Sequence, residues 1–309
     1  MSEITKHNWR AEAALLFTIL VWGLNFPVVK AVLQFMHPHV LNALRFVVSA
    51  VVLGGFYVHH RRRLGLPLWQ PLREHFVVIG SLGILGFVFY QLCFIIGLDH
   101  TTAGNAALIM ASSPLWTAVV GRAFGTEHLQ GASWFALFIV LIGTCVVVVG
   151  GSSGFDLSSQ TFVGNLIMIA AAFFWGAYTA FSKPVLGYLS ATGLTFLSLL
   201  FALPFLFGIA IPYYAETDWG QIRLIHWAAI LFSGGLSTGL AITVWNTAIS
   251  TVGASNTAVY GNLVPLVAVG FSYLLLGETI YAAQIAGGAL VIGGVLVMRR
   301  ARLLTVQSP

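Results

Sequence analysis

Polar and aromatic side chains recur at helical spacing inside stretches of sequence that are otherwise apolar. In the run that begins at Ala11, the residues Trp22, Asn25, Phe26 and Val29 are three or four positions apart, so they share one face of a helix. Indole and amide groups bind a solute by stacking and hydrogen bonding. Because amides are costly in contact with lipid, this face is predicted to point inward.

Three later runs carry faces of the same kind. They comprise Trp175, Tyr178, Thr179 and Ser182; Asn105, Leu108, Ser112 and Trp116; and Asn256, Tyr260, Leu263 and Val267. Two interpretations stay open. Either these faces line a cavity, or Asn105, Asn256 and the serines cross-link helices through hydrogen bonds.

Three cations and two prolines within the runs suggest a pathway. Lys30 and Lys183 lie near helix ends, where each marks one mouth of a cavity or simply reaches the lipid headgroups. Arg45 is about two turns into the second run, where it neutralises helix C-terminal carbonyls or lines the outer vestibule. Pro114 and Pro265 each remove a backbone hydrogen bond, which predicts bends in a gated pathway or, alternatively, simple packing kinks.

Composition requires that a membrane position these residues. The 309-residue chain is 58% hydrophobic and 7% charged, with a mean hydropathy of +0.92. Such a chain is not expected to fold as a water-soluble globule. Its net charge of +5 comes largely from cations at the ends of apolar runs, which is a topology signal and not a nucleic-acid site. The first run lacks a clear cleavage site and is interpreted as a retained helix.

A span of the bilayer needs about 20 apolar residues, and this criterion predicts ten transmembrane helices in an all-α integral membrane protein. Tight turns at Asp99 and Gly253 predict two helical hairpins. The loops are too short to hold a soluble domain. The predicted spans are 11–33, 39–59, 75–98, 101–124, 130–150, 162–183, 190–212, 226–249, 254–276 and 280–298.

The distribution of Lys and Arg predicts the orientation. With both termini in the cytoplasm, 11 of the 14 cations lie on the cytoplasmic side. The opposite orientation would place these 11 outside, against the positive-inside rule. The chain is therefore predicted to be a multi-pass protein of the inner (plasma) membrane with cytoplasmic N- and C-termini.

An internal repeat divides the chain. Trp22 and Lys30 recur as Trp175 and Lys183, each 153 positions later, and "TAGNAALIMASSPL" at 102–115 is echoed by "GASNTAVYGNLVPL" at 253–266. The chain is thus predicted to hold two five-helix repeats, 1–150 and 151–309. Because five is odd, the second repeat enters the membrane from the opposite side, and this inverted arrangement is typical of transporters that work by alternating access.

These motifs resemble the EamA branch of the drug/metabolite transporter superfamily. The resemblance rests on the doubled "WG…K" motif, the "GN/SN…P" helix after a tight turn and the Gly/Glu junction before the last helix of each half, and it covers residues 11–298. It implies a metabolite exporter, with amino acids as the usual substrates, and a central cavity formed by helices 1, 3, 4, 6, 8 and 9. On helices 3 and 8, this adds Tyr90, Gln91 and Trp245 to the predicted substrate-binding residues.

The side chains absent from the spans restrict the substrate. The middle of every predicted span lacks Asp and Glu, which disfavours a pump for cationic drugs, and no cluster of Arg and Lys is available for a phosphate. A pocket of aromatic and amide groups suits neutral or aromatic amino acids. Purine-like metabolites or aromatic drugs are the alternative. No cofactor and no metal site are expected, since Cys93 and Cys145 both lie in apolar runs.

Two other classes of protein remain as alternatives. A pore-type channel would not need alternating access. An intramembrane enzyme would need a nucleophile with its base inside the bilayer, yet the histidines lie in the tail or at predicted helix ends and loops, so no enzymatic activity is expected. The expected partners are a small solute and the lipid bilayer, without nucleic acid. Small-residue faces in helices 5 and 10 are expected to pack within a monomer, with dimerisation as the alternative.

Overall fold

The computed structural model describes residues 9–125, 131–150, 159–244, 261 and 263–306. Within these residues the regular structure is entirely helical, as predicted. In chain order we label α1 Trp9–Leu33, α2 Pro38–Arg63, α3 Phe76–His100, α4 Ala103–Ala123, α5 Gly131–Val149, α6 Gln160–Val185, α7 Ala191–Tyr214, α8 Leu224–Val244, α9 Val264–Leu276 and α10 Ala282–Val306.

Seven of these helices, α1 to α4 and α6 to α8, are long and apolar enough to cross a bilayer. Shorter apolar stretches, Trp134–Val149, Val264–Leu276 and Ala282–Val297, coincide with the three remaining predicted spans. The prediction of a multi-pass helical membrane protein is therefore confirmed. The ten-span inverted arrangement and the cytoplasmic termini stay predictions.

Hydrogen-bonding side chains set several helix ends. Thr102, Ser159 and Ser190 cap the first turns of α4, α6 and α7 by accepting from backbone N–H groups. Gly277 ends α9 in the left-handed conformation, with φ of 66°. The sequence did not predict a short helix, Gln70–Glu74, in the loop after α2.

Two helices contain π-helical segments. Ile84–Phe89 in α3 and Phe232–Leu240 in α8 are wound with the wider π spacing. Adding the repeat offset of 151 to 84–89 gives 235–240, so the two segments lie at matched positions of the predicted halves. Such segments are rare and occur often at functional sites.

The two matched prolines both lie in the first turn of a helical segment, and the segment of Pro114 follows an interruption of α4. Helical bonding in α4 stops at Met110 and resumes at Ser113. Pro114 lies in the first turn of the resumed segment, where its missing N–H is not needed, and Pro265 has the same place in α9. By contrast, α1 continues through Pro27 without interruption.

Close helix contacts use glycines at matched positions. A Cβ on Gly23 of α1 would lie 2.6 Å from Val267 Cβ of α9, and a Cβ on Gly176 of α6 would lie 2.6 Å from Trp116 Cβ of α4. Each glycine follows the tryptophan of a "WG" motif. The pairs α1 with α9 and α6 with α4 are therefore packed through equivalent residues of the two predicted halves.

The remaining packing follows the same scheme. Helix α3 packs on α6 and α1 packs on α8, while α2 packs on both α7 and α8. Helices α5 and α10 pack on each other, where Gly143 and Gly287 bring the two backbones together. The small-residue faces of α5 and α10 are therefore used within the chain.

Candidate functional site

An unbroken series of aromatic contacts runs through the middle of the bundle. The ring of Phe26 on α1 meets Phe94 on α3 edge-on at 5.6 Å between centroids, and Phe94 is 5.8 Å from Tyr90. Tyr90 lies 4.9 Å from Trp175 on α6, which stacks on Tyr178 at 5.4 Å. Four predicted site residues, Phe26, Tyr90, Trp175 and Tyr178, are thus brought together by three helices.

The π-helical segment of α3 continues this series. Phe87, within that segment, meets Tyr178 edge-on at 5.6 Å. A Cβ on Gly86 would overlap the Tyr178 ring, so the absence of a side chain at Gly86 makes room for it. Phe87 also lies 6.1 Å from Phe46 on α2. The π winding therefore sets the position of one wall of the aromatic series.

Arg45 lies at the same depth, fully enclosed by protein. Its side chain is 3% exposed, its Nε donates to Ser233 Oγ at 2.6 Å, and its guanidinium carbon lies 5.9 Å from the Phe94 ring centroid. Ser49, one turn further along α2, donates to the carbonyls of Arg45 and Gly234 at 2.9 Å each. Arg45 therefore contacts α3 and α8. Its two sequence-based roles, at helix C-terminal carbonyls or in an outer vestibule, stay predictions.

Trp22 and its neighbour Asn25 extend the site along α1. The Trp22 indole N–H donates to the carbonyl of Ser237, inside the π-helical segment of α8, at 3.0 Å. Asn25 is buried, and its Oδ1 has no partner among the described residues. The same holds for Oε1 of Gln91 on α3. Trp22 is therefore anchored by backbone, whereas Asn25 and Gln91 present unpaired acceptors.

Asn105 belongs to a different group of residues. Its Oδ1 accepts from Gln284 Nε2 at 2.6 Å, and its Nδ2 donates to Asn165 Oδ1 at 3.5 Å. Asn165 in turn accepts from Thr101 Oγ1 at 2.5 Å and donates to the Val148 carbonyl at 3.2 Å. In this conformation Asn105 joins α4 to α6 and α10, as the cross-linking interpretation proposed.

This network lies at the end of the bundle that carries the turn between α3 and α4, which we call the hairpin end. Two charged residues hold the turn. Lys30 Nζ donates to the carbonyls of Leu98 at 2.8 Å and Asp99 at 2.5 Å. The Glu278 carboxylate accepts from the backbone N–H groups of Ala103 at 2.7 Å and Gly104 at 3.0 Å. A cation thus meets a helix C-terminus and an anion meets a helix N-terminus, which the helix dipole favours. Lys30, Glu278 and Gln284 thus hold this end of the bundle together through hydrogen bonds.

The remaining predicted residues have the following positions. Ser112 is fully buried and donates to the Ile109 carbonyl at 2.6 Å within α4. The Trp116 ring meets Phe173 on α6 edge-on at 5.6 Å, and its indole nitrogen has no partner among the described residues. Trp245, Asn256, Tyr260 and the side chain of Lys183 lie outside the described residues.

The described pockets lie away from these residues. A groove of about 360 Å³ between α2 and α7 is lined by Val40, Phe207 and Tyr214 among others, and a second pocket surrounds His59 and Arg62 near the end of α2. No predicted site residue lines either pocket. The described residues also include no group of His, Cys, Asp and Glu that could hold a metal ion.

Several residues at the site escaped the sequence analysis. In the sequence, Ser233 is one small residue in a Gly- and Ser-rich run, and Gln284 lies near a predicted helix start. Neither position carries a pattern that predicts a site residue. Gly23 and Gly176 were visible in both "WG" motifs, and their recurrence was the signal that a close helix contact was conserved between the two halves. Only the fold pairs Glu278 with the start of α4.

Apolar helices around a buried polar and aromatic centre define a multi-pass helical membrane protein. Comparison with known families specifies this class. A model of the "EamA-like transporter family" matches residues 9–149 and 162–300, so the chain belongs to that family and is a membrane transporter. The resemblance to the EamA branch of the drug/metabolite transporter superfamily is therefore confirmed.

Bacterial relatives match nearly the whole chain. A "Probable amino-acid metabolite efflux pump" of Salmonella typhimurium is 27% identical over 91% of this chain and 92% of its own. A "Probable terminal-alkyne amino-acid exporter" of Streptantibioticus cattleyicolor is 26% identical over 97% and 96%. The "Uncharacterized transporter YyaM" of Bacillus subtilis is 27% identical over 89% and 88%.

A solved structure has the same fold. It is described only as "Crystal structure of protein", superimposes with a TM-score of 0.64, is 21% identical, and the match covers 97% of this chain and 98% of the other. At this identity the likeness concerns the fold alone.

Proposed function

We propose that the protein exports neutral or aromatic amino acids across the inner membrane by alternating access through a central cavity. The observation that carries this proposal is the aromatic series from Phe26 to Tyr178, which lies beside unpaired amide oxygens of Asn25 and Gln91 at mid-bundle. Such a centre binds the apolar and the polar part of an amino acid at once. The names of two relatives, an amino-acid metabolite efflux pump and an amino-acid exporter, support the same substrate class.

Matched features in the two halves support alternating access. The π-helical segments, the prolines in the first turn of a helical segment and the glycine contacts each occur twice among the described residues, at positions 151 or 153 residues apart. An inverted repeat converts one conformation into its opposite when the two halves exchange their local structures. We infer that residues 1–150 and 151–309 are these halves, with both termini in the cytoplasm.

The closed hairpin end supports one step of this cycle. Lys30, Glu278 and the Asn105 network bind the turn between α3 and α4 to both halves. With cytoplasmic termini, this end faces the outside. The described conformation then corresponds to a state that is closed to the outside, and release of the solute requires these contacts to separate.

Purine-like metabolites or aromatic drugs are the second candidate substrates. The stacked pair Trp175 and Tyr178, with Tyr90 beside it, offers planar surfaces that suit a flat ring system without a charged group. Unlike an amino acid, such a substrate does not need a carboxylate and an ammonium group.

Counterflow in proteoliposomes tests the proposal. Vesicles containing the purified protein are loaded with one amino acid, and uptake of the same labelled amino acid from outside is measured. We expect trans-stimulated, saturable uptake for at least one aromatic or neutral amino acid. Absence of counterflow for all twenty amino acids, with counterflow of adenine or guanine, would favour the second candidate, and flux that does not saturate would favour a channel.

A further inference from the structure

Arg45 is a buried cation whose charge is not neutralised by the described part of the chain. Its Nε is bound to the hydroxyl of Ser233, while its Nη1 is buried and has no hydrogen-bond partner. The groups that the structure gives around it are the Ser233 hydroxyl, the Phe94 ring and Tyr90, with which it interacts electrostatically. None of the described acidic side chains forms an ion pair with it. The guanidinium therefore keeps unused donor capacity.

An unpaired guanidinium is costly inside a membrane protein. Burial removes the water that would solvate the charge, and an unsatisfied donor adds a further penalty. Lys30, a partly buried cation near the end of α1, avoids this penalty by donating to two carbonyls. A stable fold alone would favour an apolar residue or a paired ion at position 45, so an anion that arrives from outside the chain explains why the charge is retained.

The groups around Arg45 restrict the chemistry of that anion. Among the described residues, Arg45 is the cation found to contact Phe94. A single guanidinium suits a monoanion such as a carboxylate, whose two oxygens match its planar fork. A phosphate dianion would want a second cation. The rings of Tyr90 and Trp175 continue from Phe94 and provide an apolar wall for the rest of the molecule.

Acceptors on the neighbouring helices complete the pattern. Asn25 Oδ1 on α1 and Gln91 Oε1 on α3 are buried without partners, as are both polar atoms of the Asn42 amide, one turn before Arg45 on α2. Helices α1 and α2 both pack against the second half of α3. A buried cation with unpaired oxygens and no carboxylate nearby complements a zwitterion, whose carboxylate needs a donor and whose ammonium group needs acceptors.

We propose that Arg45 binds the carboxylate of the transported solute and that the carrier therefore requires a carboxylate in its substrate. Ser233 is a positioning residue, since its hydroxyl accepts from Nε and leaves Nη1 for the solute. This inference deepens the proposed function and rests on it for the identity of the solute as an amino acid. It assigns Arg45 a binding role in place of a position at the mouth of the pathway.

The first test uses the wild-type protein and needs no mutation. Thermal stabilisation of the purified full chain is measured with L-phenylalanine, L-tryptophan and L-leucine, with the amine that each gives on loss of its carboxylate, with their methyl esters, and with 3-phenylpropanoate. We expect amines and esters to bind about tenfold to a hundredfold more weakly than the parent amino acids. Equal binding of amine and amino acid would overturn the proposal, as would lack of stabilisation by every carboxylate tested, the other amino acids included.

The second test uses variants of the anchor. Arg45→Gln is expected to weaken amino-acid binding about tenfold or more and to abolish the preference for acid over ester, while Arg45→Lys keeps part of that preference because it keeps the charge. Ser233→Ala is expected to raise the KM for the amino acid and to keep the preference for acid over ester. Arg73→Gln, which removes an exposed cation from the short helix after α2, is the matched control. Unchanged acid preference in a folded Arg45→Gln protein would overturn the proposal.

Failure of this inference can be told apart from failure of the proposed function. In one case, wild-type vesicles show amino-acid counterflow, Arg45→Gln behaves like the wild type, and the esters bind like the acids. The transporter proposal then stands and the carboxylate site is wrong. If no amino acid is exchanged but 3-phenylpropanoate binds and this binding is lost in Arg45→Gln, the carboxylate site stands and the substrate class is wrong.

Discussion

Trp175 lies in the middle of the aromatic series, between Tyr90 and Tyr178, and is only partly buried. Its ring therefore has a surface available to a solute, in contrast to the fully enclosed Phe46 and Ile95. Tyr178 is fixed by Phe87 and by the gap at Gly86, so it serves as a rigid support. At the scale of single residues, Trp175 can contact the substrate, whereas Tyr178 supports the ring of Trp175.

Removal of the Trp175 ring is expected to weaken binding of aromatic amino acids. Trp175→Ala loses a stacking partner worth about 1 kcal/mol, so the KM in counterflow should rise severalfold. The KM of Trp175→Phe should lie between those of the wild type and Trp175→Ala. Trp69→Ala removes an exposed indole at the start of the short helix after α2, where the side chain makes no capping hydrogen bond, and is the control. An unchanged KM in Trp175→Ala would place the aromatic site elsewhere.

His37, in the turn between α1 and α2, is expected to make stability depend on pH. Burial lowers the pKa of His37 below its ordinary value of 6.5, although Glu216 and Asp99 act in the opposite direction. Its ring stacks on Tyr213 at 3.8 Å and lies 5.1 Å from His39. The folded protein then binds this proton less readily than the unfolded chain, so stability is full above pH 6.5 and falls as the pH drops from there through the folded pKa.

The measurement is the melting temperature in detergent at about pH 8 and about pH 5. The wild-type value is expected to be lower at the acidic pH. His37→Gln should make this difference smaller, because glutamine has no proton to gain. If His37→Gln and the wild type lose the same amount of stability on acidification, His37 is not the group responsible.

At the scale of elements, the glycine of each "WG" motif determines how closely two helices approach. Gly23→Ala would place a methyl group 2.6 Å from Val267 Cβ and 3.1 Å from the backbone nitrogen of Ala268. Overpacking of this kind costs about 1–3 kcal/mol, so we expect a lower melting temperature and reduced transport. Gly270→Ala, on α9 itself, meets no atom within 4 Å and is expected to cause no loss. Wild-type stability and transport in Gly23→Ala would show that α1 and α9 can separate freely.

The cap that Glu278 forms on α4 is expected to hold the hairpin end closed. Glu278→Gln removes the charge and leaves one oxygen to accept from Ala103 and Gly104, which weakens the favourable interaction with the helix dipole. The conformation that is open at the hairpin end should then be more populated.

Cysteine accessibility measures this change. Ala103, which is 0% exposed, is replaced by Cys in a protein that lacks Cys93 and Cys145, and its rate of labelling by a membrane-impermeant maleimide is recorded. We expect faster labelling when Glu278→Gln is added. Glu74→Gln, which alters an exposed carboxylate bound to Gln70, is the control. Equal rates in the three proteins would show that Glu278 does not control opening.

The sequence predicted most helices well but not their interiors. Apolar length places most of the described helix ends within a few residues of those observed, because a bilayer-crossing helix must be long and apolar wherever it packs. An exception is α10, which continues to Val306, beyond the predicted end at 298. The π winding of Ile84–Phe89 and Phe232–Leu240 was not predicted, since π winding depends on neighbours such as Tyr178 and Arg45 that the fold brings to each segment. The proline interruption after Met110 was expected only as a bend.

At the scale of the whole molecule, the cation distribution predicts an even number of spans with both termini inside. Green fluorescent protein fused to either terminus should fluoresce in cells, since it matures in the cytoplasm, whereas alkaline phosphatase fused after Asp99 should be active, since it folds outside the inner membrane. Active phosphatase at the C-terminus would contradict the even number of spans or the orientation. The 11 cations on the predicted cytoplasmic side supply the physical reason for the expected result.

The predicted site divides into two groups in the structure. Phe26, Tyr90, Trp175 and Tyr178 lie together with Arg45, in agreement with the idea of one central face. Asn105 and Lys30 lie in the network at the hairpin end, where protein groups satisfy them. A role of Asn105 in substrate binding stays a prediction, and it would require the partner Gln284 to move away. Helical spacing could not separate the groups, because residues on one face of a helix can lie at different depths.

The sequence by itself determined the membrane class, most helix positions and the family, and it predicted the repeat, because hydropathy and recurring motifs are local or periodic properties of the chain. The tertiary structure decided which polar groups find partners. Asn105 and Lys30 are satisfied across helices that are distant in sequence, whereas Arg45 keeps a free donor beside an aromatic wall. Both outcomes depend on contacts between helices up to 188 residues apart in the chain, such as that of Arg45 with Ser233, and no local pattern records such contacts.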